Sequence, residues 1–223
     1  WLRWLIEYRD ILCNKTEYKY NNTKEWIFKT DIWKCFKDFI EKNKNTIIIS
    51  LSGGVDSMVF LYLCILYKEV INNNFNFKAV HINWNQRIES SRESEFLIKY
   101  LERAHVEYIY ENINTINRKQ DREYFEKKGK EIRFNLYKKA LKRWNDGLIF
   151  LGHHKGDIIE NVFTNIIQRK HYFNLGKMEE IQKIDDIIFI RPFLSIDKED
   201  IYEVAKREFI PFFKNTTPDW SNR

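Results

Sequence analysis

The sequence has little of what divides a chain into separate pieces. Its 223 residues include three prolines and seven glycines, so long flexible linkers are not expected. The length favours one domain with at most a small appendage. No apolar run approaches the roughly 20 residues of a membrane-spanning helix, so no membrane partner is expected. Cysteine is scarce, scattered and odd in number. Cys13, Cys35 and Cys64 make neither a disulfide framework nor a Cys-x-x-Cys pair, which points to a reducing compartment. The chain begins at Trp1 and not at Met, and it reads as a segment of a longer protein. A cytoplasmic location is expected, or an organelle if a targeting segment precedes residue 1.

Neither sign of charge dominates, with 38 basic residues against 32 acidic and a net charge of +6. Such an excess permits a polyanionic partner without demanding one. Its distribution is uneven. Lys127, Lys128, Lys130, Arg133, Lys138, Lys139, Lys142 and Arg143 crowd one segment, and Arg169, Lys170 and His171 form a second knot. Hydrophobic residues make up 43% and charged residues 31%, a balance that suits a globular domain and not a disordered chain.

Apolar periodicity sets the expected elements. Residues 1–12 and a second helix capped by Asp31 each place apolar residues on one face, the second with Ile32, Cys35, Phe36, Phe39 and Ile40. Residues 1–45 are therefore expected to be a helical N-terminal extension that braces the rest. From Thr46 the pattern alternates between short β-branched runs and helical stretches. Strands are expected at Thr46–Leu51, Phe77–Asn83, Val106–Tyr110, Leu148–Leu151 and Ile187–Ile190. Helices are expected at Val55–Ile71, Glu89–Ala104, Arg122–Trp144, Asp157–Gln168 and Lys198–Arg207. This order implies an α/β fold, a Rossmann-like and mainly parallel sheet with helices on both faces, over residues 46–223.

Two of the seven glycines are adjacent, in Ser52-Gly53-Gly54-Val55-Asp56-Ser57 between a strand and a helix. Glycines let the backbone turn sharply and approach a ligand, and the helix that follows offers free N–H groups to an anion. Ser52 and Ser57 add hydroxyls suited to phosphate. Asp56 should repel phosphate, a conflict that a bound Mg²⁺ would resolve. The loop is neither a Walker A sequence nor the Gly-x-Gly-x-x-Gly fingerprint. The bland alternative is a tight turn with Asp56 as a first-turn acid.

A second constellation follows the fourth strand: Gly152-His153-His154-Lys155-Gly156-Asp157-Ile158-Ile159-Glu160-Asn161. Ligands of open parallel sheets sit at the carboxyl ends of strands, so this segment and the glycine loop should open onto one edge. Asp157 and Glu160, three residues apart at a helix start, can share a face as metal ligands, substrate-binding acids or plain helix-start acids. His81 and His105 read more simply as packing or surface residues, and Arg133 as a member of a solvated helix face.

Ser52-Gly53-Gly54-Val55-Asp56-Ser57 resembles the signature of the N-type ATP pyrophosphatases, which split ATP between its α and β phosphates. The segment from His153 is similar to the His-His-x-Asp-Asp-x-x-Glu-Thr stretch of tRNA(Ile)-lysidine synthetases, with Gly156 in place of the first Asp and Asn161 in place of the Thr. Further similar segments come in order: His81 to Ser90, Glu131-Ile132-Arg133-Phe134 with Tyr137, Leu175-Gly176-Lys177-Met178, Arg191-Pro192-Phe193-Leu194, and Thr217 to Arg223. The resemblance covers residues 46–223 and leaves out the first 45.

The resemblance implies an ATP-dependent ligase that adenylates the C2 oxygen of an anticodon cytidine and replaces it with lysine. ATP would be bound by Ser52, Gly53, Gly54, Val55, Asp56, Ser57, His81 and His153. Asp56 and Asp157 would hold Mg²⁺ and, with Arg133, serve catalysis, while His154, Glu160 and Arg191 would bind substrate. The implied partners are tRNA(Ile) with a CAU anticodon and free L-lysine, and a homodimer is allowed for. Basic helices fit a protein that must grip a nucleic-acid backbone and unstack a base. Two rivals stand beside this reading. A tRNA thiolase of the same superfamily would need paired cysteines, which Cys13, Cys35 and Cys64 do not supply. A catalytically reduced nucleotide- or RNA-binding protein would accommodate Gly156.

Overall fold

The computed structural model describes residues 25–114, 122–160 and 178–214. Residues 1–24, including the expected first helix, lie outside these, as do the body of the helix expected to run to Gln168, the Arg169 knot, the turn at Leu175–Met178 save its last residue, and the closing Thr217–Arg223 segment.

A short 3-10 turn, Ile27–Lys29, leads into α1, Asp31–Lys42. The cap is Thr30 and not Asp31. Thr30 has extended backbone angles, and its hydroxyl accepts from the Trp33 amide at 3.2 Å, while Asp31 is already helical and pairs with Lys34. Ile32, Trp33, Phe36, Phe39 and Ile40 are buried as one face, so α1 belongs to the main core.

Strand β1 (Ile47–Ser50) is followed by α2 (Val55–Val70), β2 (Phe77–Asn83), α3 (Ser90–Arg103), β3 (Tyr108–Asn112), α4 (Arg122–Trp144) and β4 (Leu148–Phe150). A helix begins at 155 and continues to 160 within the described residues. The hairpin β5 (Ile181–Ile184) and β6 (Ile187–Ile190) and then α5 (Lys198–Arg207) complete the order. The strands form one sheet in the order β3-β2-β1-β4-β6-β5, all parallel except β5.

Alternate residues of β1 explain why its apolar run is unbroken. Ile47 and Ile49 enter the core built with α1, α2, α3 and α5. Ile48 faces the other way, toward Leu136, Tyr137 and Ala140 of α4. All three isoleucines are 0% exposed, as a strand covered by helices on both faces requires. The Rossmann-like parallel sheet expected from the sequence is present.

Two further details depart from expectation. Strand β3 starts at Tyr108 and not at Val106, because α3 ends with His105 in the left-handed region (φ 51°) and Val106 donating back to the Leu101 carbonyl. That is a helix-terminating motif, and it gives His105 a backbone role. Strand β5 was not expected. It is a polar edge strand joined to β6 through Asp185 and Asp186, both at positive φ, as a tight hairpin turn demands.

Candidate active site

Chain order reverses between β1 and β4. From β1 the chain builds outward to β2 and β3, then returns to add β4 on the other side. The carboxyl ends of these neighbours form a crevice where open α/β sheets take ligands. The glycine loop leaves β1 there, and Gly152–Asp157 leaves β4 beside it. A separate cavity of about 460 Å³, lined by Ile40, Thr46, Tyr67 and Asn76 among others, lies toward the start of β1. It contains none of the expected site residues.

The loop is held from inside and outside. Ser52 Oγ accepts from the Gly54 amide at 3.2 Å, and Ser57 Oγ donates to the Gly54 carbonyl at 3.0 Å. That bond uses the Ser57 hydrogen, so in the Ser52–Ser57 contact of 3.2 Å Ser52 is the donor. Gly53 has φ +80°, and a Cβ there would lie 2.9 Å from the Phe213 ring and 3.0 Å from Leu97. Both conformation and space therefore require glycine. The Phe213 amide donates to the Gly53 carbonyl at 2.9 Å, so a segment 160 positions later straps the loop. Gly54 caps α2 with no side-chain bond to its first turn, which leaves helix N–H groups open to an anion.

His81 is 5% exposed on β2. Its Nδ1 lies 2.7 Å from the Leu51 carbonyl and its Nε2 2.8 Å from Ser94 Oγ. A carbonyl only accepts, so Nδ1 carries the proton and Nε2 accepts from Ser94. Burial pushes the ring below its ordinary pKa, with the Leu51 bond opposing. Both ring nitrogens are spent on the protein, so the His81 side chain braces the entry to the loop.

Gly152 brings β4 against the loop, where a Cβ would sit 3.0 Å from that of Asp56. His153 Nδ1 accepts from Arg191 Nε at 2.9 Å, so the neutral ring keeps its proton on Nε2. Burial and the Arg191 charge both lower the His153 pKa, while Asp157 and Asp56 act in the opposite direction. One imidazole is thus within electrostatic reach of both carboxylates. Arg191, at the end of β6, is 5% exposed and also donates to the Glu179 carbonyl at 2.9 Å.

Asp157 accepts from the His154 amide at 2.7 Å, and its carboxylate lies 3.5 Å from His154 Nε2. This is the helix-start role that the bland reading gave it, beside the loop all the same. Glycine at 156 makes room for His154: a Cβ would lie 2.8 Å from the imidazole, whose Nδ1 accepts from the Gly156 amide at 3.0 Å. Glu160 is exposed on the next turn. Arg133 is exposed on α4, where its charge acts on Tyr137, whose hydroxyl is 2.9 Å from Ser50 Oγ. Among the described residues, no hydrogen bond or ion pair joins Arg133 or Glu160 to Asp56, His153 or Asp157.

One site residue was missed. Lys198, the first residue of α5, places its ammonium 2.6 Å from both carboxylate oxygens of Asp56. The available signal was position: α5 follows Arg191-Pro192-Phe193-Leu194 at the carboxyl end of β6, on the edge that holds the loop. Among the described residues no group of three His, Cys, Asp or Glu gathers as a metal site. Asp56 and Asp157 are nevertheless hard oxygen donors on one crevice. They fit Mg²⁺ in the mode where one or two carboxylates share the ion with substrate phosphates and water.

An open parallel sheet with an uncapped, glycine-entered helix at its switch point defines a phosphate-binding α/β domain. The chain belongs to the PP-loop family, whose domain model matches residues 25–222, and the expected kinship with N-type ATP pyrophosphatases is borne out. The chain is 28% identical over 178 residues to a tRNA(Ile)-lysidine synthase of Streptococcus gordonii, matching 80% of this chain and 39% of that protein. It is 28% identical over 172 residues to that of Chlamydia pneumoniae, matching 77% of this chain and 51% of the relative. The chain thus spans about half the length, or less, of these relatives. In fold it is similar to a U34-tRNA thiolase of Methanococcus maripaludis (TM-score 0.67, 19% identity, 87% of this chain and 68% of that one). A phosphoadenylyl-sulfate reductase of Candida auris is also similar (TM-score 0.51, 9% identity, 83% of each chain).

Proposed function

We propose that this chain is the ATP-using part of a tRNA-modifying ligase that adenylates the C2 oxygen of an anticodon cytidine and replaces it with lysine. The observation that carries the reading is the meeting of the glycine loop and the His153–Asp157 segment at the β1–β4 switch point. Similarity to tRNA(Ile)-lysidine synthases over four fifths of the chain points the same way.

In this reading ATP lays its phosphates over Gly53 and Gly54, where the open first turn of α2 supplies N–H donors. Ser52, Val55 and Ser57 complete the cradle. His153 presents its Nε2 hydrogen as a further donor, held in that tautomer by Arg191. Asp56 and Asp157 would hold Mg²⁺, which when bound neutralises phosphate charge. The cytidine oxygen attacks the α-phosphorus and pyrophosphate leaves; the amine of free L-lysine then displaces AMP. His154, Glu160 and Arg191 are assigned to substrate and Arg133 to the same edge. Exposed basic residues of α4 suit the backbone of a tRNA with a CAU anticodon. The reaction places the enzyme in the cytoplasm or in an organelle that makes protein. The thiolase reading lacks support in the cysteines: Cys64 is fully buried in α2, Cys35 contacts Ser195 at 3.8 Å, and these two, the cysteines among the described residues, are both free.

The test is pyrophosphate release from Mg-ATP by the full-length protein, with and without tRNA(Ile) and labelled lysine. Release that requires tRNA, with label entering it and both lost in Asp56→Ala, is expected. Release without incorporation moves the second step to another nucleophile. A folded, ATP-bound protein that releases nothing is a binding protein instead.

A further inference from the structure

The glycine loop is an anion site without a cation of its own. Ser52 to Ser57 contains no lysine or arginine, and it contributes a carboxylate, Asp56, beside the helix end that should receive phosphate. Among the described residues, the other basic side chains around the crevice have partners or lie on exposed faces, Arg87 among them through Glu93. Arg191 holds His153 and the Glu179 carbonyl, Lys155 pairs with Asp197, and Arg133 lies exposed on α4.

Lys198 is the exception. Its ammonium sits 2.6 Å from each Asp56 oxygen, with the two side chains 28% and 18% exposed. Its place in its own helix is unfavourable, because a cation in the first turn of α5 faces the positive end of the helix dipole. The charges that favour this helix start are those of the acids Asp197, Glu199 and Asp200, and the lysine adds nothing to them. Local preferences of α5 therefore give no reason for a lysine here. Its reason is tertiary. An ammonium has three hydrogens and no acceptor. Two are accounted for by Asp56; the third has no hydrogen-bond acceptor among the described residues, where the Tyr202 ring centroid lies 5.6 Å from the ammonium.

We infer that Lys198 is the phosphate-binding cation of this site, delivered from α5 to a loop that lacks one, and that it contacts the phosphates beyond the α position. Asp56 holds the ammonium in place; the third N–H, or all three if Asp56 turns to a metal ion, serves the β- and γ-phosphate oxygens. Lys198 binds but transfers nothing. This rests on the proposed ATP-binding reading and names the residue that discriminates a polyphosphate from a monophosphate.

The experiment is calorimetric titration of the full protein and of Lys198→Met and Lys198→Arg with ATP, AMP and inorganic tripolyphosphate, alongside thermal unfolding. Loss of one hydrogen bond to a charged group predicts that Lys198→Met weakens ATP and tripolyphosphate by roughly 10- to 100-fold. AMP affinity should be unchanged, and Lys198→Arg should recover most of the loss. If ATP and AMP weaken together, or neither changes, Lys198 is a clasp between α5 and α2 and the inference fails while ATP binding stands. A wild-type protein that binds neither ATP nor tripolyphosphate overturns the inference and the functional reading together.

Discussion

Gly53 shows at a single residue how sequence becomes site. Its φ of +80° and its closeness to Phe213 and Leu97 leave no place for a side chain. Gly53→Ala is expected to destabilise the fold by about 1–3 kcal/mol, the usual cost of a non-glycine residue in that region, measured by urea unfolding. His81 carries a different prediction. Its ring and that of His153 have pKa values lowered from 6.5 by burial. Above that pH both folded and unfolded chains hold neutral rings. Below it the unfolded chain takes up protons that the native rings refuse, so stability falls until the folded pKa is reached. The melting temperature should drop between about pH 7.5 and about pH 5.5, and His81→Gln should flatten part of that slope. An unchanged slope would remove His81 from the account. The glycine loop with Asp56 was legible because its residue types are unusual between a strand and a helix, and His153 only through resemblance to a known family. Lys198 was not, because a lysine at a helix start carries no signal until the strand order brings its helix to the loop.

At the scale of elements, most of the fold could be read from alternating apolar runs. Strand β2 and helix α4 begin and end where the sequence pattern puts them, since a doubly covered strand and a helix with one covered face leave different periods. Failures came where polar chemistry decides. Strand β5 has exposed Ile181 and Lys183 along its edge, and only pairing with β6 makes it a strand. The cap of α1 moved to Thr30 because the residue that stays extended, and not the most acidic one, accepts the first amide. Thr30→Ala should cost about 1 kcal/mol, read from chemical unfolding, whereas Asp31→Ala should cost less. A larger loss for Asp31 would reverse the assignment.

The whole molecule joins its distant segments around the loop. Glu208, just past α5, accepts from Trp26 Nε1 at 2.7 Å and from the Tyr62 hydroxyl, tying the start of the described chain to α2 and to the end of α5. Phe213 packs edge-on to Phe96 and lies over Gly53. Phe213→Ala should cost less than the ~3–5 kcal/mol of a fully buried phenylalanine, because the ring is only partly covered, yet it should also weaken ATP binding. Unfolding and ATP titration of one variant separate the two effects, and intact binding would limit the strap to stability.

The strap also fixes an order in time. Strands β1, β2 and β3 pair with near neighbours and can assemble while the ribosome is still at work. Strand β4, which must slot in beside β1, comes about 100 positions later than its partner, from Ile47 to Leu148, and such distant pairing is slow. Lys198 and Phe213 follow later still. The glycine loop, made early, stays without its counter-ion and its strap until nearly all of the described chain has been translated. The loop is therefore complete only once Phe213 has emerged, long after Gly53 itself was made.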